Sequence, residues 1–227
     1  LHVYVRKVRM WVGQVFDWCV EHAHMEVNPA KLIDPKKAFG HATVESFAAL
    51  ELREVPEFLR RLGAERDLQS VLACRMLMLT WVRTTELRLM EWSEIDDVEA
   101  TWLIPAGKMK RKKDHLVPLS RQALAILREM RARTRGDRYV FPSDRTDARP
   151  MSENAVLYLL HRIGYKGRLT GHGFRSIGST WANERGYSPD AIERQLAHVP
   201  DSKVRAVYNR AQYLPERRQM LQDFADW

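Results

Sequence analysis

The sequence predicts a mainly α-helical protein with one small β element, a β-hairpin or three-stranded sheet. Three observations predict it. Amphipathic or wholly apolar runs with helical spacing recur along most of the chain. Only two short runs, "TWLIPA" and "HLVPLS", read as strands. The 227 residues are 45% apolar, enough for one good core or one domain and part of another.

The elements follow in order. "MWVGQVFDWCV" places Trp11, Val12, Val15, Phe16, Cys19 and Val20 on one helical face. "NPAKLIDPKKAFGHAT" then breaks the pattern with two prolines and a glycine. Residues 1–27 are read as the end of a truncated domain, because a lone helix cannot bury its stripe. Residues 28–48 are read as a linker and 49–227 as the main domain. The chain begins at Leu1, with a helix under way, and is expected to be a fragment.

In the main domain "PEFLRRL" opens a helix at Pro56. "DLQSVLACRMLMLTWV" is apolar nearly all round and predicts a central helix. "TTELRLMEWSEI" predicts a short helix capped by Thr84 or Thr85. The strand-like runs flank "GKMKRKKD", a basic loop. Helices capped by Ser120, Ser152 and Ser188 follow, with stops at Gly164 and Gly186. "SKVRAVYNR" and "PERRQMLQDFADW" close the chain.

Charge narrows the function. The net charge is +8 and the pI about 9.7, which favours a polyanionic partner, nucleic acid first. The plain alternative is a soluble basic surface. The two cysteines, Cys19 and Cys74, lie in apolar helical context and are expected as buried thiols. Neither zinc spacing nor a disulfide framework is present, which suits a reducing cytoplasm. No apolar run approaches the ~18 residues of a membrane span.

Individual motifs are ambiguous. In "GHGFR", His172 and Arg175 lie three apart on one helical face and suit an anionic oxygen. Alone, such a pair is more often a solvated face. Arg83 follows a buried run and needs a partner; Glu86 is placed to hold it, structurally or functionally. Lys108, Lys110, Arg111, Lys112 and Lys113 make a basic loop, usually just solvated, that on a hairpin becomes a candidate for phosphate contact. His198 ends a helix and Tyr208 follows ten residues later. Alone, these read as a cap and a packing residue.

Their order is more specific. In "TWVRTTELRLMEWSEID", "IPAGKMKRKKDHLVPLS", "LTGHGFRSIGSTWANERG" and "QLAHVPDSKVRAVYNR" the chain resembles the tyrosine recombinases, the phage-integrase family, over about residues 50–227. The closing run "YNRAQYLPERRQMLQDFADW" looks most like the prophage and genomic-island branch. The first helix, with "NP" after it, looks like the last helix of the family's core-binding domain.

The resemblance implies the catalytic-domain fold of these DNA breaking-rejoining enzymes. It also implies a site-specific recombinase (integrase) acting through a 3′-phosphotyrosine intermediate to integrate or excise a mobile element. Tyr208 matches the nucleophile, whereas Tyr213 reads as packing. Arg83 and Arg175 match the arginines that clamp the scissile phosphate, and His172 and His198 match the two histidine positions. Lys110 matches the lysine that protonates the leaving oxygen, with Lys108 as runner-up, and Glu86 matches the acid supporting Arg83. Lys108, Arg111, Lys112 and Lys113 are expected to contact DNA.

Two departures adjoin Arg83. Trp81 and Thr85 stand where the family often has glycine, and Thr85 lacks glycine's freedom at positive φ. The expected partners are double-stranded DNA at attachment sites, a homotetramer on that DNA and DNA-bending accessory proteins. The free fragment is expected to be a monomer that binds DNA weakly and recombines poorly. No cofactor and no membrane are expected. The last helix is expected to dock either on a neighbouring protomer or on its own domain. Two alternatives are a type IB topoisomerase-like strand transferase and a non-catalytic DNA-binding protein of the same fold.

Overall fold

A computed structural model describes residues 2–34, 37–38, 40, 48–134, 136, 138–198 and 212–227. The chain divides into two units, Leu1–Ser46 and Phe47–Trp227. The first is built on α1 (His2–Glu21). Residues 28–33, within the expected linker, fold back onto this helix. Buried Asn28 accepts from Ala30 N–H at 2.9 Å and donates to Gly13 O and Asp17 Oδ1 at 2.8 and 2.9 Å. That starts a 3₁₀ turn over Pro29–Leu32. Tyr4, Val8, Trp11, Val15 and Trp18, spaced alternately four and three apart, form an apolar stripe in which every residue is more than half exposed.

The second unit begins its helical core with α2 (Val55–Gly63) and α3 (Leu68–Thr80). Asp67 caps α3 by accepting from Ser70 N–H at 3.2 Å. Apart from Asp67's cap and the exposed Arg75, α3 offers little polar surface, and nearly all of it is buried. It stops at Trp81, which adopts the left-handed conformation at φ 55°. This is where the glycine-like backbone of the first arginine motif falls. Thr85 lies inside the next helix, α4 (Thr84–Arg88), and needs no positive φ. Neither threonine caps α4. Arg83 is the cap residue, and its N–H donates to Glu86 Oε2 at 2.8 Å, because a carboxylate at the third helical position reaches back to the orphan donor.

Strands β1 (Ile95–Asp96), β2 (Thr101–Ile104) and β3 (His115–Pro118) form an antiparallel sheet in that order, with Trp102 opposite Val117 and Ile104 opposite His115. Helix α5 (Arg121–Arg133) follows, capped by Ser120 Oγ at 3.3 Å from Ala123 N. A second antiparallel pair, β4 (Pro142–Ser143) and β5 (Thr146–Pro150), has no counterpart in the sequence reading. Its exposed, mostly polar strand lacks the alternation that marks a half-buried one.

Helix α6 (Ala155–Arg162) starts after Asn154; Ser152 instead closes the turn before it, accepting from Asn154 N–H at 3.3 Å. Gly164, at φ 91°, ends that helix region. Among the described residues, helices α7 (Gly173–Glu184), α8 (Pro189–Gln195) and α9 (Leu214–Asp226) follow. Ser188 makes no side-chain cap bond; its N–H donates to Glu216 Oε1 at 2.8 Å.

Helix α3 is the hub, packed on α4, α5, α6, α7 and α9. Cys74 is buried in it as a free thiol, whereas Cys19 on α1 is only half-buried. Helix α9 lies on its own domain, against α3, α5, α7, α8 and β3. The key to that seat is aromatic. Phe224 meets Trp81 and Trp181 edge-on at 5.3 and 5.2 Å, and the Trp81 indole lies flat over Gly178 of α7.

A Cβ at Gly178 would lie 2.3–2.6 Å from three Trp81 ring atoms. Ala in mid-helix gains up to about 1 kcal/mol over Gly, but overpacking costs about 1–3 kcal/mol. Gly178→Ala is therefore expected to lower stability, read as a fall in the urea midpoint. An unchanged or raised midpoint would contradict this packing.

Candidate active site

Arg175 is in the first turn of α7 and only 3% exposed. A buried guanidinium must find acceptors or lose its charge. It finds backbone: Nη1 donates to Trp81 O at 2.5 Å and Nη2 to Leu196 O at 2.6 Å. The left-handed turn at Trp81 supplies the first carbonyl and the end of α8 the second. Burial, then the nearby Arg83 charge, brings its pKa down to about 10, so it remains a cation at neutral pH. Its Nε is buried without a hydrogen-bond partner among the described residues.

Arg83 reaches the same place from the turn between α3 and α4. Its Nη1 donates to Glu86 Oε1 at 2.6 Å. Glu86 thus holds the arginine by both backbone and side chain, and is itself only 3% exposed. Nε and Nη2 of Arg83 make no hydrogen bond among the described residues, and its side chain is 27% exposed. These N–H groups are available to an anion.

His172 precedes α7 directly. Gly171 lets this turn settle on the start of α4: a Cβ there would stand 2.4 Å from Thr84 Cγ2. The fit brings His172 beside Arg83. Its pKa is lowered from the ordinary value, first by burial and then by the charges of Arg175, Arg83 and His198.

His198 follows α8, with Nε2 at 3.1 Å from Arg175 Nη2 and Nδ1 at 2.8 Å from Glu193 Oε2. A guanidinium can only donate, so Nε2 is the acceptor and the ring proton sits on Nδ1, donated to Glu193.

Arg83, Glu86, His172, Arg175 and His198 are thus brought together. The hairpin is different. Lys110, Arg111, Lys112 and Lys113 are exposed on its loop, and no hydrogen bond or ion pair joins Lys110 to the cluster. Lys108 turns inward instead, and its amine is engaged by Glu91, Glu94 and Leu89 O. Tyr208 lies outside the described residues. Tyr213 precedes α9, half-buried, its hydroxyl 3.3 Å from Asp190 Oδ2.

Sequence reasoning missed a buried polar group behind the site. Arg217 of α9 is fully buried, with Nε and Nη2 at 2.9 and 2.7 Å from Gln195 Oε1 and Nη2 at 2.6 Å from Leu116 O on β3. Its Nη1 donates to Gln212 O at 3.2 Å, and Gln195 Nε2 donates to Thr80 O at 2.7 Å. Buried His115 joins through Gln195 O at 3.1 Å; burial, then the Arg217 charge, drops its pKa to about 3, so it stays neutral. Burial, with a contribution from Arg194, brings the Arg217 pKa to about 9. One signal was legible: Arg217 is in phase with Met220, Leu221 and Phe224, on the apolar face of α9.

The fold of the chain is that of tyrosine recombinase catalytic domains. It superposes on the Tn1549 transposon integrase in complex with circular intermediate DNA with a TM-score of 0.70 at 14% identity, covering 96% of this chain and 78% of that one. For a lambda integrase dimer bound to a core site the TM-score is 0.68 at 18% identity, covering 93% and 74%. Residues 49–214 match the model of the phage integrase family. Prophage integrase IntZ of Escherichia coli K12 is 43% identical over 97% of this chain and 54% of its own length. The integrase of Shigella phage Sf6 is 38% identical over 97% and 57%. The chain belongs to the phage integrase family. It spans about half the length of these curated relatives.

Replacing Arg217 by Met would leave Gln195 Oε1 and Leu116 O without their donor. Each buried orphan costs about 1–3 kcal/mol. Arg217→Met is expected to lower the denaturation midpoint accordingly, while the surface change Arg218→Met is expected to have little effect. Equal midpoints for the two variants would contradict the network.

Proposed function

We propose that the chain is the catalytic part of a site-specific DNA recombinase, an integrase that cleaves and rejoins DNA through a 3′-phosphotyrosine link. One observation supports this most. Two arginines from separate sequence motifs, Arg83 and Arg175, sit with His172 and His198 so closely that the Arg83 charge helps lower the pKa of Arg175, the charges of Arg175, Arg83 and His198 help lower that of His172, and His198 Nε2 lies 3.1 Å from Arg175 Nη2. Like charges gathered in one place cost energy unless an anion is meant to sit there. A scissile phosphodiester is such an anion.

In this reading Arg83 offers its free Nε and Nη2 to a phosphate oxygen, while Arg175 and His198 define the inner wall. Charge arranged before the reaction stabilises the pentavalent transition state. The Tyr208 phenol oxygen attacks phosphorus and its proton passes to His172, whose lowered pKa keeps it neutral and able to accept. The bond from phosphorus to the 5′ oxygen breaks, and Lys110 supplies the proton to that oxygen. The products are a 3′-phosphotyrosine and a free 5′-hydroxyl. A 5′-hydroxyl from the partner strand reverses the step and completes exchange, so no energy source is consumed.

The partners follow from the same reading. Duplex DNA at attachment sites is the substrate, the exposed hairpin cations Arg111, Lys112 and Lys113 contact its backbone while Lys108, turned inward, does not, and four copies assemble on it in the cytoplasm. DNA-bending proteins assist the assembly. The lambda integrase has been captured as a tetramer on a Holliday junction.

The test is a nicked suicide duplex carrying the host attachment site, incubated with the natural full-length protein. Wild type is expected to form a covalent adduct and Tyr208→Phe none. Arg83→Ala is expected to slow adduct formation by about 10²–10³-fold. An adduct undiminished in Tyr208→Phe would sink the nucleophile assignment, and no adduct from wild type would sink the enzyme reading.

The pH dependence follows from His172. Its folded pKa lies below the ordinary 6.5. The base is therefore competent above that lowered value and is lost as pH falls through it. The acid limb of kcat/KM is expected below pH 6.5, and His172→Gln is expected to remove it.

A further inference from the structure

The five basic residues of the hairpin are not equivalent, and Lys108 differs most. It ends the single 3₁₀ turn, Ala106–Lys108, that follows β2. Its amine donates to Leu89 O at 2.6 Å, reaches Glu91 Oε1 at 3.0 Å and pairs with Glu94 Oε1. An ammonium has three protons, and all three are used. Its side chain is 20% exposed and that of Glu94 6%.

The acceptors are themselves anchored. Glu94 Oε2 takes the indole N–H of Trp102, in β2, at 3.0 Å and the Glu91 N–H at 3.2 Å. Glu91 also pairs with Arg138 at 3.3 Å. The next residue, Met109, is only 4% exposed and inserts into the core. Asp114 Oδ1 accepts the Ala106 N–H at 2.7 Å and latches the two ends of the loop together. The chain is thus pinned at 108 and 109, and the exposed Lys110 comes next. Two residues span at most about 7 Å, so the Lys108 clamp sets where Lys110 starts its reach.

We propose that Lys108 is a positioning residue: clamped by Glu91, Glu94 and the Leu89 carbonyl, it aims the hairpin so that Lys110 can protonate the leaving 5′ oxygen. The proposal rests on the recombinase reading and on Lys110 as its acid. Misplacing a reacting group by about 1 Å costs on the order of 10²-fold in rate, while the same ion pair on an open surface would matter little.

The experiment uses the natural full-length protein and two versions of the suicide duplex, one ordinary and one with a 5′-bridging phosphorothiolate, whose sulfur leaves without a proton. Lys108→Met and Glu94→Gln are expected to cleave the ordinary duplex about 10–100-fold more slowly. Both are expected to cleave the phosphorothiolate at close to the wild-type rate, which a merely misfolded variant would not do. Lys108→Arg is expected to retain most ordinary cleavage, because a guanidinium can fill the clamp but cannot give up a proton. Lys110→Ala, run alongside, is expected to be slow and rescued. If Lys110→Ala is rescued but Lys108→Met cleaves normally or is slow on both duplexes, the positioning role is overturned and the recombinase reading stands. If Lys108→Arg is as slow as Lys108→Met and both are rescued, Lys108 is the acid itself and the proposal fails. If Lys110→Ala cleaves normally, the assignment of the acid fails and the positioning role goes with it.

Discussion

The site depends on burying one guanidinium. Arg175 is enclosed at the start of α7, and its charge is tolerable only because Trp81 and Leu196 turn backbone carbonyls toward it. Each carbonyl belongs to a helix end whose own partner is missing. The left-handed cap at Trp81 ends α3, and Leu196 ends α8. One side chain therefore joins three helices and fixes where His198 leaves α8. The rest of the site is arranged around that joint.

Trp81 links the joint to the last helix. Its carbonyl faces Arg175, while its indole is closed between Gly178 and Phe224. A left-handed tryptophan is costly for the backbone, on the order of 1–2 kcal/mol. Full burial of an indole offsets that. Below it, Arg217 repeats the logic of Arg175 with Gln195, Leu116 O and Gln212 O as acceptors. The seat of α9 is thus both apolar and polar.

A second pattern recurs twice. In the Arg83–His172–Arg175–His198 cluster a buried cation, Arg175, stands beside one with free donors, Arg83. On the hairpin an engaged cation, Lys108, stands two residues from the exposed Lys110. In each pair the enclosed charge is held by fixed acceptors and the other keeps donors unspent. Composition cannot distinguish members of such pairs, because the four residues carry the same formal charge.

Much of this was legible in the sequence, for local reasons. The apolar run of α3, the strand runs around a basic loop and the serine at 120 depend on neighbours within one turn or one strand. Arg83, Glu86, His172, Arg175 and His198 were legible through the order of their motifs. Less legible were the caps at Arg83 and Asn154, where a nearby carboxylate or an earlier turn displaced Thr84 and Ser152. The β4–β5 pair was missed because its exposed strand carries no alternation. Arg217 was not singled out, because an arginine is usually exposed, although its helical phase is apolar.

By itself the sequence determined the class of fold, the run of helices around one small sheet, and which side chains bring cations, imidazoles and phenols to the chain. Those follow from periodicity and residue chemistry. Only the tertiary structure decided which cations are buried and which are free, that Trp81 takes the left-handed turn, and that α9 docks on its own domain. These depend on acceptors distant in sequence: the Trp81 carbonyl for Arg175, Gln195 for Arg217, and Glu91 and Glu94 for Lys108. A charge is held or free according to what packing places beside it, and that is a property of the folded core.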